Sequence, residues 1–167
     1  WEISQILWDF QKNTCKKMSS ILNTENDVYI LSGEGILGLE AACASLTEPG
    51  DKVLVIDNGI FGRGFDDFVK MYGGEVVYFS GDYTKEIDIE ELEKFLQKEN
   101  DFKYATVVHC DTPTGVLNDL SKICPLLKRY NILTVVDSVA AMVGEEIRVD
   151  DWQIDIALGG SQKAISA

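Results

Sequence analysis

Lys163 ends the run Gly159-Gly160-Ser161-Gln162-Lys163. A lysine on a glycine-hinged loop among apolar strands is a candidate for imine chemistry, because partial burial lowers the amine's pKa and frees its lone pair. Taken alone, the same lysine reads more readily as a solvated surface residue. Asp137 ends the apolar run "ILTVVD". An aspartate at a strand's carboxyl end commonly caps a helix or holds a magnesium ion, and alone it decides little. An amine and a carboxylate on neighbouring strand ends are a rarer pair. They are what pyridoxal phosphate (PLP) requires: an imine partner, and an anion that keeps the ring nitrogen protonated as an electron sink. Each pKa unit that the carboxylate adds to that nitrogen is worth about 1.36 kcal/mol, and roughly two units separate a working sink from a poor one.

A phosphate site is also legible. Gly33-Glu34-Gly35-Ile36-Leu37-Gly38 spells GxGxxG between an apolar run and a run of helix formers. Glycines let the backbone approach an anion, and a helix N-terminus offers unpaired N–H groups and a positive dipole end. That physics serves a dinucleotide or any other phosphorylated cofactor. Phe61 suits either stacking on a pyridine ring or plain core packing, and Thr112 could bring a hydroxyl to the ring's own oxygen. His109 reads as a hydrogen-bonded packing histidine beside the site, and Asp111 as a cap for the turn that follows it.

The elements that must position these residues alternate along the chain. Ile3, Ile6, Leu7, Phe10, Met18, Ile21 and Leu22 recur at helical spacing and predict an opening amphipathic helix that packs on something. Then come a strand at "DVYILS", a helix at "ILGLEAACASL", "KVLVID", a helix at "GFDDFVKMY" and "EVVYFS". They are followed by a helix at "IEELEKFLQKE", a strand at "YATVVH", a helix at "DLSKICPLLKRY", "ILTVVD" and a last strand near "IDIALG". This βαβ order, with strands apolar on both faces, predicts an α/β fold: a three-layer αβα domain with a mostly parallel sheet. Ligands in such sheets gather beyond the strands' carboxyl ends. Segments 32–36, 57–61, 110–115, 137–138 and 159–163 should therefore share one rim.

Composition narrows the partners. The 15 Lys+Arg against 28 Asp+Glu, net charge −13, oppose nonspecific binding to nucleic acid or an anionic membrane surface. Cys15, Cys43, Cys110 and Cys124 form no CxxC pair and His109 is the single histidine, so no zinc site or disulfide framework is indicated and a reducing, cytoplasmic setting is expected. No run is apolar enough to span a bilayer. The chain opens on Trp1 and stops at Ala167, as a piece of something longer would.

"VVDSVAAMVG" followed by "IDIALGGSQKA" resembles the class V aminotransferases of PLP fold type I, in the alanine-glyoxylate, serine-pyruvate and ureidoglycine-glyoxylate branch. "SGEGILGLEAA", "EPGDKVLV", "NGIFG" and "HCDTPTGVLND" extend the similarity over nearly the whole chain, in the family's order. The resemblance implies that Lys163 carries PLP through a Schiff base, Asp137 pairs with the ring nitrogen, Phe61 stacks on the ring and Thr112 faces its oxygen. Backbone amides of Glu34, Gly35 and Ile36, helped by Gln162, would hold the phosphate. Glu34 stands where a small residue is usual and must turn its carboxylate away from a phosphate dianion. Phe61 stands where close relatives often carry Trp. Gln162, where cysteine desulfurases carry a histidine, disfavours that branch. The implied reaction moves an amino group from a small amino acid to a small 2-oxo acid, in a homodimer. Residues 1–167 would then be a PLP-binding large domain, incomplete and without the small domain and its substrate-carboxylate arginine, so not competent alone. Two other readings stand beside it: a dinucleotide-binding, Rossmann-like oxidoreductase domain with Asp57 as the ribose acid, and a noncatalytic α/β module.

Overall fold

A computed structural model describes residues 2–166. Its elements are α1 (Glu2–Ile21), α2 (Gly35–Leu46), β1 (Lys52–Asp57), α3 (Ile60–Met71), β2 (Glu75–Ser80), α4 (Ile89–Leu96), β3 (Tyr104–Val108), α5 (Leu120–Arg129), β4 (Leu133–Asp137) and β5 (Ile156–Leu158). The five strands form one sheet in the order β2-β1-β3-β4-β5, and every neighbouring pair is parallel.

Alternation along the strands builds two cores. Val53 and Val55 of β1 face one side with Leu39, Ala42 and Cys43 of α2 and Phe65 and Val69 of α3. Leu54 and Ile56 face the other, with Leu92 and Leu96 of α4 and Ile123 and Leu127 of α5. β3 repeats the division: Tyr104 and Val108 belong to the first core, Ala105 and Val107 to the second. Helices thus cover both faces of a parallel sheet, the three-layer αβα arrangement that doubly apolar strands require.

Two expectations change. Residues 27–32 form no strand, and Tyr29, Ile30 and Leu31 are exposed. A β-rich sequence fits a pleated surface only where a neighbour offers its backbone, and here a cleft of about 380 Å³ separates the segment from the end of β5. The opening helix forms, but no residue of α1 is buried, and Ile3, Ile6, Leu7 and Phe10 face outward. Only its far end reaches the core, through Met18 and, just beyond the helix, Leu22.

Candidate active site

Sheet register assembles the rim. Val108 lies beside Asp137, and Asp137 beside Leu158. The His109 amide donates to the Asp137 carbonyl (2.8 Å), and the Ser138 amide to that of Leu158 (2.9 Å). The turn bearing Thr112, the Asp137 carboxylate and the Gly159–Lys163 loop therefore leave adjacent strands side by side. Strand order reverses direction between β1 and β3, and crevices at such reversals are where open α/β sheets bind ligands. Phe61, in the first turn of α3 after β1, and Thr112, after β3, flank that crevice.

The glycine motif arrives by another route than a strand. Gly38 brings α2 against β5: a Cβ there would lie 3.5 Å from Leu158 Cδ2. A Cβ on Gly35 would lie 2.9 Å from Val139 Cγ2 and 3.7 Å from Gln162 Nε2, so the helix's N-terminus abuts the segment after Asp137 and the Gln162 side chain. Glu34 is exposed and its side chain does not cap α2, as a phosphate site there requires. The first amides of a helix have no intrahelical acceptor, so those of Gly35 and Ile36 remain open to an anion. Gln162 curls back over Gly160, where a Cβ would come 2.6 Å from its Oε1.

Asp137 is 6% exposed. Its Oδ1 accepts the Val139 amide (2.9 Å), and its other oxygen makes no hydrogen bond among the described residues. Burial pushes its pKa up and the Asp111 charge adds to the rise, against the Val139 amide and the Lys163 charge, which lower it. A nearly buried carboxylate with one free oxygen is the acceptor that a protonated ring nitrogen would fill. Lys163 lies near enough to act on that carboxylate, yet it is exposed, on a turn past β5. The partial burial expected of it is not supplied. Phe61 is 46% exposed, so it is not core packing, and Thr112 is exposed on its turn.

Asp57, the proposed ribose acid, is already engaged. Its carboxylate takes hydrogen bonds from Tyr83 Oη (2.6 Å), Arg63 Nη1 (3.1 Å) and Ser80 Oγ (3.4 Å). With no strand leading into the glycines, the dinucleotide reading loses both of its supports. His109 is buried, its Nδ1 3.0 Å from Ser138 Oγ and its ring edge-on to Trp152. Burial lowers its pKa to about 4, so the imidazole is neutral. Among the described residues, no group of three His, Cys, Asp or Glu is placed for a metal ion, and no helix is long and apolar enough to cross a membrane.

The sequence reading of Asp111 as a turn cap holds but leaves out a second contact. Asp111 caps its own turn, its Oδ2 accepting from Thr114 Oγ1 (3.1 Å) and the Thr114 amide (3.3 Å), but Oδ1 also accepts the Phe61 amide across the crevice (2.9 Å). The available signal was Gly59, a glycine at the N-cap of a helix with no capping side chain of its own.

A three-layer α/β domain whose strand ends gather a lysine, a buried carboxylate and an open helix N-terminus has the make-up to hold a phosphorylated cofactor. The chain belongs to the aminotransferase class-V family, which matches residues 4–167. It is 35% identical over 156 residues to an uncharacterised aminotransferase of Methanocaldococcus jannaschii, covering 93% of this chain and 40% of that protein. It is 31% identical over 166 residues to the 2-aminoethylphosphonate–pyruvate transaminase of Bacillus cereus, covering 95% and 48%. Among solved structures, the ureidoglycine-glyoxylate aminotransferase of Bacillus subtilis superposes with TM-score 0.88 at 32% identity, over 93% of this chain and 40% of that one. The alanine–glyoxylate aminotransferase of Nostoc sp. does so with 0.89 at 30%, over 94% and 42%. The chain thus spans less than half the length of these relatives. Family membership implies PLP as the cofactor.

Proposed function

We propose that the protein is a PLP-dependent aminotransferase that moves an amino group from a small amino acid of the alanine or serine type to a small 2-oxo acid of the glyoxylate or pyruvate type. On this reading residues 1–167 are the cofactor-binding large domain of a longer chain. The observation that carries it is Asp137, buried at a strand end with one carboxylate oxygen free and Lys163 on the neighbouring strand's loop. The relatives support the acceptor class, since their names pair amino donors with pyruvate or glyoxylate.

PLP, when bound, supplies an electron sink for negative charge developing at the amino acid's Cα. The chain's residues do the rest. Amides of Glu34, Gly35 and Ile36, with the Gln162 side chain, would hold the phosphate at the α2 N-terminus. Phe61 would cover a ring face and Thr112 would meet the ring oxygen. Asp137 would hold the ring-nitrogen proton through its free oxygen. Lys163 would hold the cofactor through its Nζ and, once an amino acid took its place, would serve as the base that carries the Cα proton. The outward apolar stripe of α1, Ile3, Ile6, Leu7 and Phe10, supports a homodimer, and four free cysteines support a reducing compartment such as the cytoplasm.

Borohydride reduction of the PLP-loaded protein tests the assignment. Peptide mapping should find the pyridoxyl group on Lys163. Label on another lysine, or none at full cofactor occupancy, overturns it.

A further inference from the structure

We infer that Asp111 is a positioning residue for the cofactor: its carboxylate fastens the start of α3, and with it Phe61, to the Thr112 turn, and so sets the width of the crevice in which the ring lies. The inference rests on the reading of this rim as a PLP site and goes beyond it by assigning a residue that would touch neither cofactor nor substrate.

The geometry is that of a helix cap supplied from a different strand. Phe61 is the second residue of α3, and an amide there ordinarily bonds to the side chain of the residue preceding the helix. That residue is Gly59, which has none to offer. Asp111 Oδ1 takes the Phe61 amide instead, at 2.9 Å, while Oδ2 takes the hydroxyl and amide of Thr114. One carboxylate therefore joins the two loops that flank the β1/β3 reversal. Asp111 is 1% exposed and has no cationic partner among the described residues. A buried carboxylate without a cation is costly unless its oxygens are filled by N–H and O–H donors, so both loops must stay in register with it.

Gly59 makes the fit exclusive. Its backbone is extended (φ 179°, ψ 170°), a conformation open to any residue, so nothing in its own torsions demands glycine. A Cβ at that position would lie 2.3 Å from Asp111 Cγ and 2.6 Å from Oδ1. The space a side chain would fill holds the carboxylate.

The test is a thermodynamic cycle on PLP affinity, measured by equilibrium titration of bound PLP and independent of turnover. Asp111→Ala should weaken PLP binding about tenfold where Phe61 is present and less than about twofold in a Phe61→Ala background, because coupled residues lose a shared contribution only once. Asp111→Asn keeps an acceptor for the Phe61 amide and should stay within about threefold of the parent protein. Gly59→Ala, which displaces the carboxylate without removing it, should reproduce the Asp111→Ala loss, and it serves in place of Asp111→Ala if that variant does not fold. Equal losses with and without Phe61, an Asp111→Asn variant as weak as Asp111→Ala, or parental affinity in Asp111→Ala overturns the inference. Failure of the underlying reading looks different: Lys163→Ala would then bind PLP as the parent does, whatever Asp111 contributes.

Discussion

Two buried residues of the rim respond to acid in opposite directions. For His109, burial lowers the pKa from the usual 6.5 to about 4, so the fold holds the neutral ring and the unfolded chain takes up the proton first. The stability linked to it is present above pH 6.5 and is lost as pH falls toward about 4. Its full extent is about 3 kcal/mol. His109→Gln should flatten that limb of a denaturant-midpoint profile, and an unchanged slope would place the titration elsewhere. Asp137 is the converse. Its pKa is raised, chiefly by burial, so its contribution is favourable below the unfolded carboxylate's range and is lost as pH rises through the folded pKa. At neutral pH the charged form therefore costs stability, and Asp137→Asn should raise the melting temperature of the cofactor-free protein while lowering transamination. If ring-nitrogen basicity falls by two pKa units the rate loss is about a hundredfold, about 2.7 kcal/mol. A variant both less stable and fully active would mean that the carboxylate does not face the ring.

At the scale of elements, α3 decides where Phe61 stands. The sequence suggested a helix from Gly64, yet α3 starts at Ile60. Its first turn, Ile-Phe-Gly-Arg, has no local cap, and the acceptor that holds it comes from Asp111, 50 residues away. No local pattern encodes that. The strands at 52–57, 104–108 and 133–137 were legible because unbroken apolar runs between turn residues mark strands buried on both faces, and the half-buried edge strand at 75–80 carries the same kind of run. The segment 27–32 has the same composition but no paired neighbour, and propensity does not contain the neighbour. Within the site, Lys163, Asp137 and the glycines were visible by type and spacing, whereas the exposure of Lys163 and the engagement of Asp57 depend on packing. Gly62 gives the element-scale test. A Cβ there would lie 2.8 Å from the Ile56 carbonyl oxygen, which is backbone and has little room to yield. Gly62→Ala should push α3 off β1, costing about 1–3 kcal/mol in chemical denaturation and loosening PLP along with it. Parental stability and affinity in that variant would show that α3 can slide without moving Phe61.

For the whole molecule, every pairing between the named strands of the described residues is parallel, so none of them forms a hairpin and each pair must wait for the chain to cross over and return. Pairings of this kind put contact formation after loop closure and slow the search for the native state. β1 and β3 are the partners furthest apart in sequence, with α3, β2 and α4 between them, and their junction is the crevice between Phe61 and Thr112. The candidate site is thus tied to the seam that closes the longest loop of the sheet. Cofactor capture then becomes a clock for the final stage of folding: in stopped-flow refolding with PLP present, recovery of helical circular dichroism should run ahead of the bound-cofactor signal. The lag should keep its length when PLP concentration is raised, since the wait is for the seam to close. A lag that shortens in proportion to added PLP would mean that the crevice is ready before the cofactor arrives.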